Sequence, residues 1–529
     1  MPTSTTKLSL GLAFLAATSL TTAYPLYTFN GSPSALLARD DNSTLQSCLA
    51  NSGGYDLSYS TSSDYTALST SYNSLFDYKP LVVAVPSSEA EISAIVQCVS
   101  AEGGKQKLSP RSGGHSYESY SLGGQDGSVV VDLQNFNTID VNQTTKTAIV
   151  GAGVRLGPLA QSIWDQGNFS LPHGTCPYVG VSGHALGGGF GFPTRAWGFL
   201  LDRIVEMRMI DVNGTIQNVN NETNTDLWWA LRGAGSNNFG IVTQFTFSLL
   251  DAPTSIINYA YSYKTNEDCA NAVVALQSMT LATNVDQGLA PEFGGELLIA
   301  GSAAGDFDGN ACQLSGQHIS TSRADHDALI SRFNTLAGIT PASTTVTEYT
   351  SWLESLENIM GSLNTSAPIT QDQFYAKSLV QPTLATYNYS SALALVDKLN
   401  GYAGLQGTGN SVSFDFLGPL SFPNNVNASD SAFNAHTASF IYQFYSYGFP
   451  SNDNSDGQQQ VWNAFDDLVE TAKDSDSAAD WGAYVNYVDA RQQDWGSAYY
   501  GQGLARLKAM KETWDAEGVF WFPQGLASA

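Results

Sequence analysis

The chain has 529 residues, enough to bury a large core and to hold two domains. Its formal charge of −26, from 48 acidic against 22 basic side chains, lacks the basic footprint that a nucleic-acid partner needs. It also disfavours polyanionic substrates, whereas a neutral small molecule is compatible with it. At the N-terminus, Lys7 precedes an apolar run over 8–20 and small residues at Thr22-Ala23. This pattern predicts a cleaved secretory signal over 1–23, too short for a membrane anchor. No later segment has transmembrane length, so a soluble, extracellular protein without a membrane partner is expected. Acceptor sequons at Asn30, Asn42, Asn142, Asn168, Asn213, Asn221, Asn364, Asn388 and Asn427 fit a glycosylated secreted surface. The five cysteines are an odd number in a setting that favours disulfides.

Hydrophobic period organises the next stretch. Leu81-Val82-Val83-Ala84-Val85 reads as a short buried strand. Ser88 and Glu91 then form a capping-box pattern opening a helix, whose apolar face is Ile92, Ile95, Val96 and Val99. A further strand leads into Pro110-Arg111-Ser112-Gly113-Gly114-His115-Ser116-Tyr117, and strands follow at Val129-Val130-Val131 and Ala148-Ile149-Val150. The alternation indicates an α+β cofactor domain rather than a doubly wound dinucleotide fold.

A second glycine-rich stretch runs His173-Gly174-Thr175-Cys176-Pro177-Tyr178-Val179-Gly180-Val181-Ser182-Gly183-His184, then Ala185-Leu186-Gly187-Gly188-Gly189-Phe190-Gly191. Glycines at this density leave backbone N–H groups free to point at one anion, for which a pyrophosphate is the natural guest. The Gly187–Gly189 triplet does not sit early in a βαβ unit, so NAD is rejected. Each loop alone could be a structural turn around a satisfied histidine or an inert thiol. Together, an imidazole and a thiol beside such loops could both bond the electrophilic edge of a flavin. No metal site is assigned.

Both stretches resemble the cofactor loops of vanillyl-alcohol-oxidase-type (PCMH-type) flavoproteins, specifically the berberine-bridge-enzyme-like branch and, within it, secreted fungal oligosaccharide oxidases. The resemblance runs from about Tyr78 to the C-terminus. It implies bicovalent FAD, attached through the 8α position to His115 and through the 6 position to Cys176. It further implies cofactor contacts from Arg111, Ser112, Gly113, Gly114, Ser116, Val179, Gly180, Ser182, Gly183, His184, Gly187, Gly188 and Gly189. Gly233-Ala234-Gly235-Ser236-Asn237-Asn238-Phe239-Gly240-Ile241-Val242 resembles the closing loop and strand of the same domain, which adds Gly240, Ile241 and Val242; Asn486 completes the set. With Cys176 committed to the flavin, Cys48–Cys98 resembles the N-terminal bridge of related enzymes. Cys269 and Cys312 would be the remaining pair, although sequence does not establish connectivity.

The division this implies is an arm over 24–77, a PCMH-type FAD domain over 78–255, an antiparallel-sheet substrate domain backed by helices over 256–475, and a berberine-bridge-like segment over 476–529 that returns to the FAD domain. Leu504, Leu507 and Met510 share a helix face there, with Trp514 beside the stripe, and read as core packing. In Tyr484-Val485-Asn486-Tyr487-Val488-Asp489, the resemblance makes Tyr487 the base that takes a hydroxyl proton from substrate. Asp415, in Ser413-Phe414-Asp415-Phe416, is implied as its acidic partner. Tyr117, two residues beyond His115 and on the same face if the loop is strand-like, is implied as the substrate floor, with Gln443 and Thr175 as pocket groups. Val179, three residues past the cysteine, is implied as the gate for dioxygen.

The activity implied is oxidation of the anomeric C1 hydroxyl of a mono- or oligosaccharide to a lactone. Hydride passes to the flavin, dioxygen becomes hydrogen peroxide, and the enzyme acts as a monomer. One departure stands out: Ser411 and Ser413 occupy positions where sugar oxidases carry an aromatic and an amide. The alternatives are a secondary-metabolite alcohol oxidase or ring-forming enzyme of the same fold, and a non-catalytic secreted carbohydrate-binding protein.

Overall fold

In the computed structural model, residues 41–301 and 306–527 are described. The signal expected over 1–23, the first part of the arm and the sequon at Asn30 lie outside them. Strands β1 (Asp56–Ser58), β2 (Val82–Val85), β3 (Leu108–Arg111) and β4 (Val129–Asp132) form a sheet in the order β1-β2-β4-β3. In it β2 and β3 run parallel to β4. Every residue of β2 is buried, which is why this strand reads as a continuous apolar run. The helix Glu89–Ser100 connects β2 to β3 and buries Ile92, Ile95, Val96 and Val99 completely. Its start differs slightly from the capping-box reading. Ser88 accepts from the Glu91 N–H, but the Glu91 carboxylate reaches back to the N–H of Ser87, one residue further out. Cys98 on this helix is bridged to Cys48 on the helix Asp41–Asn51, which staples the arm to the first sheet.

The next strands are β5 (Ile139–Asn142), β6 (Thr147–Gly151), β7 (Phe169–Ser170), β8 (Ile204–Ile210), β9 (Ile216–Val219), β10 (Ile241–Ser248) and β11 (Leu250–Asp251). Five of them build an antiparallel sheet, β5-β6-β10-β8-β9, and β7 pairs with β11. The C-terminal segment returns to the first sheet, where the Leu108 N–H donates to Val519 O at 2.9 Å. Its helix, Leu504–Trp514, buries Leu507 and Met510 as the stripe predicts. It also buries Lys511, whose ammonium donates to Asn238 O, Phe520 O and Asp515 Oδ2 at 2.6–2.7 Å. That satisfaction is what lets a lysine stay inside.

The remaining strands, β12 (Ile256–Tyr263), β13 (Phe293–Ala300), β14 (Cys312–Ile319), β15 (Ser343–Tyr349), β16 (Phe374–Pro382), β17 (Gly409–Phe416) and β18 (Ala438–Tyr447), make one antiparallel sheet. Its order is β15-β12-β14-β13-β17-β18-β16. This is the expected antiparallel sheet backed by helices, and a second core forms where Asn266–Leu281, Tyr389–Gly401 and Ser455–Lys473 cover one face. Cys269 on the first of these helices is bridged to Cys312 at the start of β14. Strand alternation then assigns the two faces. Val412, Phe414 and Phe416 of β17, with Phe440, Tyr442 and Phe444 of β18, enter the helix-covered core. The intervening residues, Ser411, Ser413, Asp415, Gln443 and Tyr445, face the opposite way into a cavity. Among the described residues no helix is long and apolar enough to cross a membrane.

Candidate active site

The two glycine-rich loops meet back to back. A Cβ on Gly113 would lie 2.3 Å from the Gly180 nitrogen, and one on Gly180 would lie 2.2 Å from the Gly113 nitrogen. Any side chain at either position would push the loops apart. This contact brings His115 Nε2 within 3.4 Å of Cys176 Sγ, although 61 residues separate them in sequence. Between His115 and Tyr117 the chain is loop rather than strand, because Gly114 turns it at φ +72°. The two side chains share a cavity all the same.

That cavity, of ≈ 480 Å³, is where most of the sequence candidates converge. Ser112, Gly113, Gly114, His115, Ser116, Thr175, Cys176, Val179, Gly180, Ser182, Gly183, His184, Gly240, Val242 and Asn486 line it, as do Tyr117, Asp415, Gln443 and Tyr487. Five candidates do not. Arg111 turns away: its guanidinium donates to Leu68 O and Thr70 O and lies 3.7 Å from Asp132. Gly187 is needed for a side chain, since a Cβ there would sit 2.1 Å from Asn486 Oδ1. Gly188 makes room for Phe433 and Tyr484, and Gly189 for Leu200. Ile241 is fully buried in the core. A glycine triplet reads the same whether it admits a ligand or a neighbouring side chain, which is why the sequence reading overextends there.

Burial pushes His115 down to about 4, with a hydrogen bond to its own backbone opposing the shift and Arg155 adding to it. The imidazole is therefore neutral, with a lone pair available. Burial raises the Cys176 thiol, while the N–H groups of Tyr178 and Val179 and the Arg155 charge pull it back. His184 is held neutral by burial, down to about 3, and its Nε2 accepts from the Gly174 N–H at 3.0 Å. Asn486 ties this loop to the C-terminal segment by donating to His184 O at 3.0 Å and to Tyr484 Oη at 3.2 Å.

The sheet face supplies the other wall. Tyr487 donates its hydroxyl proton to Asp415 Oδ2 at 3.2 Å, across 72 residues of sequence. The Tyr117 ring stacks on Tyr487 at 5.9 Å and 6°, and Gln443 Nε2 donates to Tyr117 Oη at 2.6 Å. Register places Glu296 of β13 directly opposite Asp415 of β17. Sequence reasoning missed Glu296, although a lone acidic residue in the apolar run Phe293–Ala300 was a visible signal. Burial pushes Glu296 up to about 7. Asp415 is raised well above the usual carboxylate range by burial first and by Glu296 second. The Tyr487 phenol is also raised well above its ordinary value, by burial and then by Asp415.

Comparison with known proteins places this geometry. Residues 80–220 match the family model described as an FAD binding domain, and residues 483–527 match the model described as berberine and berberine like. A xylooligosaccharide oxidase from Thermothelomyces thermophilus is 30% identical over 88% of this chain and 91% of its own length. The chain belongs to the berberine-bridge-like FAD-linked oxidases. It is thus an FAD-dependent oxidoreductase acting on a small molecule. An FAD-linked oxidoreductase from Penicillium rubens is 30% identical over 90% of this chain and 97% of the relative. Among solved structures, the glucooligosaccharide oxidase of Acremonium strictum, described with a 6-S-cysteinyl, 8α-N1-histidyl FAD, superposes with a TM-score of 0.82. It is 28% identical and is matched over 92% of this chain and 99% of its own.

The residues of the flavoprotein's cavity fit FAD. The Gly113–Gly180 crossing leaves a wall with no side chains to obstruct a phosphate. In another part of the wall, Asn237 Nδ2 donates to Trp521 O while its buried Oδ1 has no partner. A buried orphan acceptor of this kind suits a donor such as an exocyclic amine.

Proposed function

We propose that this oxidoreductase oxidises the anomeric hydroxyl of a neutral mono- or oligosaccharide to a lactone, holding FAD through both His115 and Cys176. The observation that carries the reading is the Tyr487–Asp415 hydrogen bond on the cavity wall, in the same cavity as the His115–Cys176 pair. FAD, when bound, supplies the hydride acceptor and returns the electrons to dioxygen as hydrogen peroxide. Around it, the chain's own groups position substrate and move one proton.

Tyr487 does not act as a preformed phenolate, because burial and the neighbouring carboxylate hold its proton on. Its oxygen takes the substrate hydroxyl proton while its own proton passes to Asp415. Asp415 is suited to that role because burial and then Glu296 raise its proton affinity well above that of an ordinary carboxylate. The Asp415–Glu296 pair is then the terminal acceptor, two carboxyls on one cavity wall where a charge on one disfavours a charge on the other. Tyr117 and Gln443, already bonded to one another, present a flat ring and an amide to the sugar.

Ser411 and Ser413 bear on the substrate. On β18 their register partners are Tyr445 and Gln443, so an aromatic and an amide stand one strand away on the same face. That arrangement supports a sugar site whose stacking surface has moved to the adjacent strand. The two small side chains also leave room for a bulkier alcohol, which favours a second reading as a secondary-metabolite alcohol oxidase. Anaerobic flavin bleaching with a panel of neutral sugars against phenolic and allylic alcohols separates the two. Bleaching by sugars with lactone formation is expected, and bleaching by the alcohols alone would overturn the sugar reading. Secretion is part of the proposal. Asn142, Asn168, Asn213, Asn221, Asn364, Asn388 and Asn427 are all exposed, and both disulfides suit an oxidising compartment.

A further inference from the structure

Among the described residues of the arm ahead of the FAD domain, one, Tyr72, lines the cavity. Tyr72 stacks on His115, with ring centroids 3.7 Å apart and planes at 25°. His115 therefore has an aromatic ring on one face and Cys176 at one edge. Nothing in the immediate sequence of Tyr72 marks it, because the contact joins positions 43 residues apart.

The surroundings of Tyr72 fix its place unusually well for an arm. The Asp372 N–H donates to Tyr72 O at 3.0 Å, and the Ser74 N–H donates to Asp372 O at 2.8 Å, pairing the arm with the approach to β16. Asn73, fully buried between them, donates from Nδ2 to Tyr117 O at 3.0 Å and to Phe374 O at 2.9 Å. Tyr445, whose electrostatics act on the Tyr72 hydroxyl, donates to Asp372 Oδ2 at 2.8 Å. The backbone of the tyrosine is thus anchored to the substrate sheet, and its ring is the part left to act on His115.

We infer that Tyr72 is a positioning residue for flavin attachment at His115, an inference that rests on the bicovalent reading proposed above. The imidazole turns about a broad terminal torsion, so its plane is set by what packs against it rather than by a rotamer well. A stacked ring shifts such an orientation by roughly 2- to 10-fold in population. Attachment joins an imidazole nitrogen to the 8α methyl carbon of the flavin, and one hydrogen leaves each atom. The two electrons pass to the flavin and from it to dioxygen, which leaves as hydrogen peroxide. The nitrogen must meet that carbon at a defined angle, and Tyr72 holds the ring plane in which it does so. Cys176 carries its own bond from a different loop and does not depend on the stack.

The test compares wild type, Tyr72→Ala, Tyr72→Leu and Tyr72→Phe as full-length holoproteins sampled at intervals after induction. Peptide mass mapping gives the flavin occupancy of His115 and of Cys176 separately. Tyr72→Ala and Tyr72→Leu should slow the rise of His115 occupancy several-fold and leave Cys176 occupancy unchanged, while Tyr72→Phe follows wild type. Tyr72→Leu keeps apolar bulk without a ring face, so it decides the matter if the alanine variant does not fold. His115 occupancy equal to wild type in the leucine variant would overturn the inference alone. So would a parallel fall at both residues, which marks general loss of the pocket. Absence of flavin on His115 in wild type would overturn both this inference and the bicovalent reading.

Discussion

Replacing Glu296 with glutamine keeps its shape and removes its charge from beside Asp415. Directly opposed strand residues have Cβ atoms about 4.5–5.5 Å apart, and these two line the same cavity wall. Two unit charges about 5 Å apart at an effective dielectric of about 20 repel by roughly 3 kcal/mol. The repulsion disfavours ionised Asp415 and so raises its pKa. Without it, the proton-accepting carboxylate persists to lower pH. The acid limb of flavin reduction should therefore move toward acid in Glu296→Gln. Anaerobic stopped-flow bleaching at saturating sugar from pH 4 to 9 reads that limb without interference from weakened binding. Asp415→Asn in the same series should abolish the limb and slow reduction. An acid limb that stays in place or moves to higher pH in Glu296→Gln would refute the coupling, and with it the shared-proton acceptor.

Tyr487→Phe preserves the ring on Tyr117 and deletes the proton-relaying oxygen, so flavin content should hold while reduction slows by about 10²–10⁴-fold; near-normal reduction rates would reassign the base. Glu118, beside Tyr117 and only 5% exposed, is pushed up from 4.5 to about 8 by burial and then by Asp489. Its folded pKa exceeds its unfolded one, so the native state holds a proton that the unfolded chain releases. Stability from this group is full below pH 4.5 and falls as pH rises toward 8, by at most about 3 kcal/mol at pH 7. Glu118→Gln should accordingly raise the urea midpoint more at pH 8 than at pH 4.5, and an equal change at both would count against it. Val179 lines the cavity three residues beyond Cys176. Val179→Leu should slow reoxidation of the reduced enzyme by air-saturated buffer without slowing reduction, and equal reoxidation rates would remove Val179 from the dioxygen path.

Much of this flavoprotein is written in short-range pattern. The strand at 82–85 and the helix stripe Ile92-Ile95-Val96-Val99 follow from hydrophobic period, which one face of one element determines by itself, whereas the antiparallel sheet from β12 onward is legible only through the family resemblance. Glycine density likewise exposes the loops of His115 and Cys176, because only glycine tolerates the main-chain contact at Gly113 and Gly180. What those glycines accommodate is a different matter: Gly187–Gly189 make space for Asn486, Phe433, Tyr484 and Leu200, residues far away in the chain. The same limit hides the arm's Tyr72 behind His115 and the opposition of Glu296 to Asp415. Register decides the second of these, since a slip of one residue would turn Glu296 into the helix-covered core. Sequence therefore determines which segments can make a cofactor site. The tertiary structure decides which side chains share its electrostatics, because distance in space, not along the chain, sets the interaction between charges.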